Sequence, residues 1–146
     1  MEIERKFLVD SLPPLDGIAF KEITQGYLCT RPVVRVRKEG DEYILTYKGK
    51  GHLAREEYNL PLTKDSFEHL VEKCDGHLIN KTRYYIPLDG GLVAELDIFK
   101  APHEGLVVVE VEFETTRQAE AFAPPSWFGM DVTYDKKYKN ARLSKA

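Results

Sequence analysis

Charged residues recur at every second position in several segments of this sequence. The first segment reads Glu-Ile-Glu-Arg-Lys, so Glu2, Glu4 and Lys6 alternate with other residues. Because side chains at i and i+2 share one face of a β-strand, each alternating set would lie on a single face. The carboxylates that follow this pattern are Glu2, Glu4, Glu57, Glu95, Asp97, Glu110 and Glu112. The cations that follow it are Lys6, Arg35, Arg37, Lys48, Lys81 and Arg83.

The ordinary explanation of such alternation is a sheet with one solvated face and one buried face. Two features weigh against it. Charges of like sign recur within a strand, as in Arg35 and Arg37, although a solvated face has no reason to prefer like charges. The opposite faces, such as Val34 and Val36, are rich in β-branched and aromatic residues, which indicates that they are packed. We therefore predict that the charged faces point into the interior of a barrel.

An interior that holds both charge sets would be unfavourable when empty, because enclosed like charges repel each other and lose hydration. Clustered carboxylates without soft ligands favour a hard cation such as Mg²⁺ or Mn²⁺. Clustered arginines and lysines favour phosphate oxygens. A metal ion bound to a polyphosphate chain satisfies both sets, so the predicted ligand is a polyphosphate–metal complex.

Eight segments with a strand-like pattern carry these residues. They span residues 2–9, 20–30, 33–38, 42–48, 55–61, 80–87, 92–99 and 106–114. Glu39-Gly40-Asp41 and Asp89-Gly90-Gly91 are typical of hairpin turns. Short turns between eight strands predict a closed antiparallel barrel whose interior holds side chains or one small ligand.

Two or three helices flank the predicted barrel. One is expected to begin after an N-cap at Thr63 and to end at Asp75-Gly76. A second is expected over residues 116–122, and a third after Thr133. The predicted fold is therefore mainly β (α+β), an eight-stranded antiparallel β-barrel in a single domain over residues 1–146.

Composition excludes several other classes of protein. There are 21 basic and 24 acidic residues, and a net charge of −3 argues against wrapping nucleic acid through bulk positive charge. The first residues lack an apolar segment typical of a signal peptide, and no run approaches the roughly 18 apolar residues of a membrane helix. Cys29 and Cys74 match neither a disulfide scaffold nor a metal-binding spacing. We expect a cytoplasmic protein without nucleic-acid or membrane partners.

The ordered motifs of this sequence resemble the CYTH family of triphosphate tunnel metalloenzymes. The family signature ExExK stands here as Glu2-Ile3-Glu4-Arg5-Lys6, and VRVRK, TYK, REEY, KTRY, AELDIF and VEVEF follow in order. The segment from Pro125 to Asn140 is similar to the compact bacterial members. The resemblance spans nearly the whole chain and is strongest to the short bacterial inorganic tripolyphosphatases.

This resemblance implies an eight-stranded tunnel, dependence on Mg²⁺ or Mn²⁺, and hydrolysis of inorganic tripolyphosphate to pyrophosphate and phosphate. Other activities in the family are thiamine triphosphatase, nucleoside and RNA triphosphatase, and class IV adenylate cyclase. A polyphosphate-binding module without catalysis is a further alternative, although binding a polyanion alone would not require so many acids. The lack of an external basic surface disfavours action on RNA.

The resemblance also implies roles for most of these charged residues. The metal-binding residues would be Glu2, Glu4, Glu110 and Glu112. The substrate-binding residues would be Lys6, Arg35, Arg37, Lys48, Lys81, Arg83, Lys136 and Lys137, the last two at a tunnel mouth or else on an exposed helix face. Glu57, Lys81 or a second metal ion would activate water, with Lys6 as a further catalytic residue. The substrate is a small triphosphate or polyphosphate, and a homodimer is expected if the apolar outer faces exceed what the helices cover.

Overall fold

The computed structural model describes residues 1–145, so Ala146, the last residue of the predicted domain, lies outside the described residues. The strands are β1 (Glu2–Val9), β2 (Phe20–Thr30), β3 (Val33–Glu39), β4 (Glu42–Lys48), β5 (Ala54–Arg55), β6 (Glu57–Pro61), β7 (Asp75–Pro87), β8 (Val93–Phe99), β9 (Val107–Glu112) and β10 (Phe128–Asp131). The helices are α1 (Lys64–Val71), α2 (Thr116–Ala121) and α3 (Asn140–Leu143), and 3-10 turns cover Asp89–Gly91 and Lys136–Tyr138. None of the helices within residues 1–145 is long and apolar enough to cross a membrane.

All ten strands belong to one antiparallel sheet, with nine in the order β10-β1-β9-β8-β7-β2-β3-β4-β6. The short strand β5 pairs with the start of β1, at Glu2 and Ile3. Only Glu56 separates β5 from β6, so the two strands together join β1 to β4 and nearly close the sheet into a barrel. Farther along β1, on the edge that pairs with β5, Phe7 and Val9 pair with β10.

The apolar residues of the strands point away from the interior of the barrel. Phe7, Leu96, Val109 and Val111 are almost completely buried, and they form one cluster with Ala119 of α2. Burial of each large apolar side chain contributes about 1.5–3 kcal/mol relative to exposure. Because these residues alternate with charged ones along β1, β8 and β9, the outer packing forces the charged side chains inward.

Arg5 lies on this outer face and attaches α2 and β10 to β1. Its guanidinium donates to the carbonyl oxygens of Ala119 at 3.0 Å and Phe122 at 3.2 Å, which end α2. It also lies 2.9 Å from a carboxylate oxygen of Asp131 and 4.9 Å from the ring centroid of Phe7. Arg5 therefore points outward, away from the interior of the barrel.

The predicted mainly β antiparallel barrel is confirmed, although the number of strands differs. The segment predicted as one strand over residues 55–61 begins at residue 54 and is interrupted at Glu56, and the four-residue β10 was not predicted. Strand β7 begins at Asp75 rather than at residue 80, because Gly76 (φ 69°) lets the chain turn from α1 directly into the strand. The Thr63 cap is present, since its hydroxyl accepts a hydrogen bond from the backbone N–H of Ser66.

Candidate active site

The barrel encloses a cavity of about 1490 Å³ that is lined by both charge sets, except for Asp97 and Lys81. The predicted site residues on its wall are Glu2, Glu4, Lys6, Arg35, Arg37, Lys48, Glu57, Arg83, Glu110, Glu112 and Lys136. Two predicted site residues, Lys81 and Lys137, are not part of the wall. The structure thus brings the acids of β1 and β9 into one space with the arginines of β3 and β7.

Strand register places the acids opposite one another. In the antiparallel pair of β1 and β9, Glu4 lies opposite Glu112 and Lys6 lies opposite Glu110. Directly opposed residues share one face of the sheet, so these four side chains point into the cavity together. Like-charged residues that face each other destabilise a sheet, so Glu4 and Glu112 are placed there at a cost to stability.

On the opposite wall, Arg35 and Arg37 of β3 are buried. The Nε of Arg37 donates to Oε1 of Gln25 at 2.8 Å. Burial, followed by the charges of Arg35 and Arg83, lowers the pKa of Arg37 to about 10. One NH group of Arg35 donates to the Thr46 hydroxyl at 3.3 Å, whereas its Nε is buried without a hydrogen-bond partner. A buried N–H without an acceptor is unfavourable, so this wall fits an anion.

Arg83 is oriented by acids from the neighbouring strands. Its Nε and one NH group donate to the two carboxylate oxygens of Asp97 at 2.7 and 2.8 Å. Its guanidinium also lies 3.3 Å from Glu95 and 3.8 Å from Glu110. Burial opposes the charge, but Asp97 and Glu95 raise the pKa of Arg83 well above its ordinary range. Arg83 is thus a fixed cation on the cavity wall.

Lys48 joins two carboxylates where β1 meets β5 and β6. Its Nζ lies 3.0 Å from Oε1 of Glu2 and 3.3 Å from Oε2 of Glu57. Burial, followed by a hydrogen bond with Glu57, raises the pKa of Glu2 to about 7. Burial opposes ionisation of Glu57, but the hydrogen bond with Glu2 and the charge of Lys48 lower its pKa to about 2. Glu2 can therefore gain or lose a proton near neutral pH, whereas Glu57 stays ionised.

A second pair of carboxylates, Glu4 and Glu110, has pKa values shifted in opposite directions. Burial, followed by the charges of Glu110 and Glu2, raises the pKa of Glu4 well above its ordinary range. Burial also opposes ionisation of Glu110, but Lys6 and Arg83 hold its pKa well below the ordinary range. The two shifts therefore favour the neutral form of Glu4 and the ionised form of Glu110.

These acids fit a hard divalent cation. Metal binding favours ionised carboxyl groups, and Glu2 and Glu4, whose pKa values are raised, would release protons to a bound cation. Among residues 1–145, no three His, Cys, Asp or Glu side chains converge into a ready-made metal site. Mg²⁺ is usually held by one or two carboxylates, with water and substrate phosphates completing its octahedron. A metal ion that arrives with a phosphate chain therefore matches the donors present.

Lys81 lies behind the wall of the cavity, and its side chain is 0% exposed. Its Nζ is 2.8 Å from Oδ2 of Asp97 and donates to Oδ1 of Asn140 at 3.1 Å. Burial lowers the pKa of Lys81 to about 7; the charges of Arg83 and Arg37 act in the same direction, and Asp97 opposes them. Lys81 can therefore gain or lose a proton near neutral pH.

The C-terminal segment covers part of the cavity. Lys6 donates from Nζ to the carbonyl oxygen of Tyr138 at 2.9 Å and so holds this segment against β1. Lys136 and Lys139 line the cavity, whereas the Nζ of Lys137 lies 5.1 Å from the ring centroid of Tyr138. Burial, followed by the charges of Arg55 and Lys6, lowers the pKa of Lys139 to about 8.

Several residues of the wall were absent from the predicted site, namely Thr46, Arg55, Asn59, Lys139 and Asn140. Arg55 shares the alternation of Glu57, so parity was a usable signal for it. Lys139 and Asn140 follow a 3-10 turn, where the sequence has no period that assigns a side chain to a face.

Comparison with known proteins adds relatives of nearly equal length. The CYTH domain family matches residues 1–123. A protein of Nitrosomonas europaea named inorganic triphosphatase is 44% identical over 147 residues, which cover 98% of this chain and 96% of the relative. A protein of Acetivibrio thermocellus with the same name is 32% identical over 99% of this chain and 93% of the relative. A crystal structure of an inorganic triphosphatase is 40% identical, covers 100% of this chain and 95% of that chain, and superposes with a TM-score of 0.74.

Proposed function

This chain belongs to the CYTH domain family, and we propose that it is an inorganic triphosphatase, a metal-dependent hydrolase that converts tripolyphosphate to pyrophosphate and phosphate. The observation that carries this proposal is the presence of both charge sets on one cavity wall. The cations match phosphate oxygens, and the carboxylates match the metal ion that accompanies a polyphosphate. A module that only binds a polyanion would gain nothing from the acids.

We assign the metal to Glu2, Glu4, Glu110 and Glu112, with Mg²⁺ or Mn²⁺ as the ion. All four line the cavity, and Glu4 and Glu112 face each other across β1 and β9. When bound, a divalent ion polarises phosphoryl oxygens and offsets charge that develops as the phosphoanhydride bond breaks.

The cations of the wall would bind the phosphate chain and stabilise the departing pyrophosphate. In this proposal Arg35 and Arg37 contact the chain with their unfilled donor positions, and Arg83 adds a fixed positive charge. Lys6 and Lys48 contribute from β1 and β4. At the C-terminal segment, Lys136 and Lys139 take the role that the sequence predicted for Lys136 and Lys137, since Lys137 is not part of the wall.

For the attacking water, the pKa values favour Lys81 over Glu57 as the base, although Lys81 lies behind the wall of the cavity. Glu57 has a pKa near 2 and is a weak proton acceptor at neutral pH, whereas the pKa of Lys81 lies near 7. The water oxygen would form a bond to the terminal phosphorus as the bridging P–O bond breaks. The bonding electron pair leaves with pyrophosphate, and the proton of the water passes to the Lys81 amine. Lys81 then has a role in proton transfer instead of direct phosphate binding.

A substrate panel tests the proposal. Tripolyphosphate, ATP, thiamine triphosphate and long-chain polyphosphate are each incubated with Mg²⁺ or Mn²⁺, and phosphate and cyclic AMP are measured. We expect the highest kcat/KM with tripolyphosphate, pyrophosphate as co-product and no release in EDTA. Cyclic AMP from ATP would establish the cyclase alternative. Tight tripolyphosphate binding without phosphate release under any metal would establish the binding module and refute the hydrolase.

We also propose a cytoplasmic homodimer. Phe20, Tyr58 and Leu60 are each more than half exposed on faces that the helices leave uncovered. Sedimentation equilibrium at several concentrations measures the mass, and a monomer throughout would refute the dimer.

A further inference from the structure

Lys81 is held by two acceptors that lie far apart in the sequence. One is Asp97 on the neighbouring strand β8, and the other is Asn140, the first residue of α3. The contact with Asn140 spans 59 positions of sequence. Asn140 also lines the cavity, whereas Lys81 does not. Asn140 is therefore a direct connection between this buried lysine and the space that would hold the substrate.

We infer that Asn140 is a positioning residue, whose side-chain amide holds the Lys81 amine in the orientation in which it takes a proton from the attacking water. The inference rests on the proposed function, because it assumes that Lys81 is the base. It assigns a role in the reaction to the C-terminal segment, beyond the lysines that contribute charge to the cavity.

The hydrogen-bonding capacity of an amine explains why two acceptors are needed. A neutral lysine amine has two N–H bonds and one lone pair. With Asp97 and Asn140 each accepting one N–H, the lone pair has only the third direction left. One acceptor alone would allow the amine to rotate on its four-carbon stem, which is flexible in lysine. The second acceptor therefore fixes where the incoming proton must arrive.

Asn140 is also the neutral member of a strongly charged environment. The charged groups that act on Lys81 are Asp97 from β8, Arg83 from β7, Arg37 from β3 and Glu110 from β9. The two acids favour the protonated lysine and the two arginines disfavour it. An amide accepts a hydrogen bond without adding a charge, so it orients the amine and leaves the balance that allows proton exchange near neutral pH.

The segment that carries Asn140 is anchored on both sides. Lys6 binds the carbonyl oxygen of Tyr138, two residues earlier, and the ring of His103 contacts the carbonyl oxygen of Leu143 at 2.7 Å. The carbonyl oxygen of Asn140 itself accepts from the backbone N–H of Ser144 at 3.0 Å. Because its backbone is held on both sides, the side chain of Asn140 can hold the Lys81 amine in one orientation.

Two substitutions and one matched control test the inference. Asn140→Asp keeps the shape but adds a carboxylate, which would raise the pKa of Lys81 by about one to three units. We expect the acidic limb of the kcat–pH profile to move to higher pH by the same number of pH units. Asn140→Ala removes the acceptor, which would lower that pKa and reduce kcat about 10- to 100-fold. Ser144→Ala removes a hydroxyl in the same segment, bonded to the Ala141 carbonyl at 2.7 Å, and should keep the wild-type profile.

A second readout does not depend on turnover. The pKa of Lys81 can be measured by following its Cε resonance by NMR as the pH is changed. The midpoint of this titration should move to higher pH in Asn140→Asp, to lower pH in Asn140→Ala, and should not move in Ser144→Ala. Unchanged titration and unchanged pH profiles in both Asn140 variants would overturn the inference while leaving the hydrolase intact. Full activity of Lys81→Ala would overturn it as well, because Lys81 would then not be the base. Absence of phosphate release by the wild-type protein would refute the proposed function, and the inference with it, whatever the titration shows.

Discussion

Arg83 and Asp97 form a two-point ion pair in the interior of the barrel, with N···O distances of 2.7 and 2.8 Å. Asp97 is fully buried and is also 2.8 Å from Lys81, so one carboxylate contacts two basic side chains. Removing one partner of a buried ion pair leaves an uncompensated charge, which costs more than the pair contributed. Asp97 is therefore a determinant of stability as well as a neighbour of the proposed base.

We predict that Asp97→Asn lowers the free energy of unfolding by about 3–5 kcal/mol, because Arg83 and Lys81 would lose their common counter-ion. Urea unfolding followed by circular dichroism measures the change. The matched control is Glu22→Gln, which breaks an exposed ion pair with Lys100 at 2.6 Å and should cost less than about 1 kcal/mol. Equal losses in the two variants would contradict this account of Asp97.

Glu4→Gln should abolish metal-dependent turnover, by at least about 100-fold, without loss of the fold. In the metal-free protein the raised pKa of Glu4 favours its neutral form, which a glutamine amide imitates. The melting temperature in EDTA should therefore be kept, whereas the increase on adding Mg²⁺ with tripolyphosphate should be lost. The control is Glu114→Gln, because Glu114 is exposed and lies two residues beyond the end of β9. Substantial activity in Glu4→Gln would show that the acids of β1 do not bind the metal.

Much of this site could be predicted because a strand has a fixed period of two. Glu2, Glu4 and Lys6 point inward and Arg5 outward whatever the twist of the sheet, so parity alone sorts the side chains. Parity does not show whether an inward-facing side chain reaches the cavity or stays buried behind its wall. Lys81 has the parity of Arg83, yet its ammonium binds Asp97 and Asn140 behind the wall.

The remaining differences arise where the chain lacks a period or where contacts are distant in sequence. Strand β10 has four residues, too few for alternation to identify it. Lys139 replaces Lys137 on the wall because a 3-10 turn, with about three residues per turn, sets which lysine faces inward. The opposite pKa shifts of Glu2 and Glu57 depend on the closure of β1 by β5, a pairing that no local pattern specifies.

The stability of the metal-free protein should depend on pH through Glu2. Its pKa is about 7 in the folded protein against an ordinary value of 4.5, so the folded state binds more protons between these values. The resulting stabilisation is fully present below pH 4.5 and is lost as the pH rises through 7. Glu2→Gln cannot titrate, so the decline of its melting temperature from pH 5 to 8 in EDTA should be shallower. Glu57, whose pKa is lowered to about 2, affects stability only at pH values below this range.

Glu120→Gln on the exposed face of α2 serves as the control and should reproduce the wild-type slope. An identical slope in Glu2→Gln would mean that the pKa of Glu2 is not raised in the folded protein.

Two neighbours on β3 allow a test of which face binds the phosphate chain. Arg37 lines the cavity, whereas Lys38 is exposed on the other face, with its Nζ 5.9 Å from the ring centroid of Tyr43. Each substitution by glutamine removes one positive charge from the same strand. Arg37→Gln should lower kcat/KM for tripolyphosphate by about 100-fold, because a buried donor aimed at the substrate is lost. Lys38→Gln should remain within about twofold of the wild type, because an exposed charge is screened by solvent and salt. Steady-state phosphate release at fixed Mg²⁺ measures both, and similar losses in the two variants would show that charge alone, and not its position inside the barrel, governs catalysis.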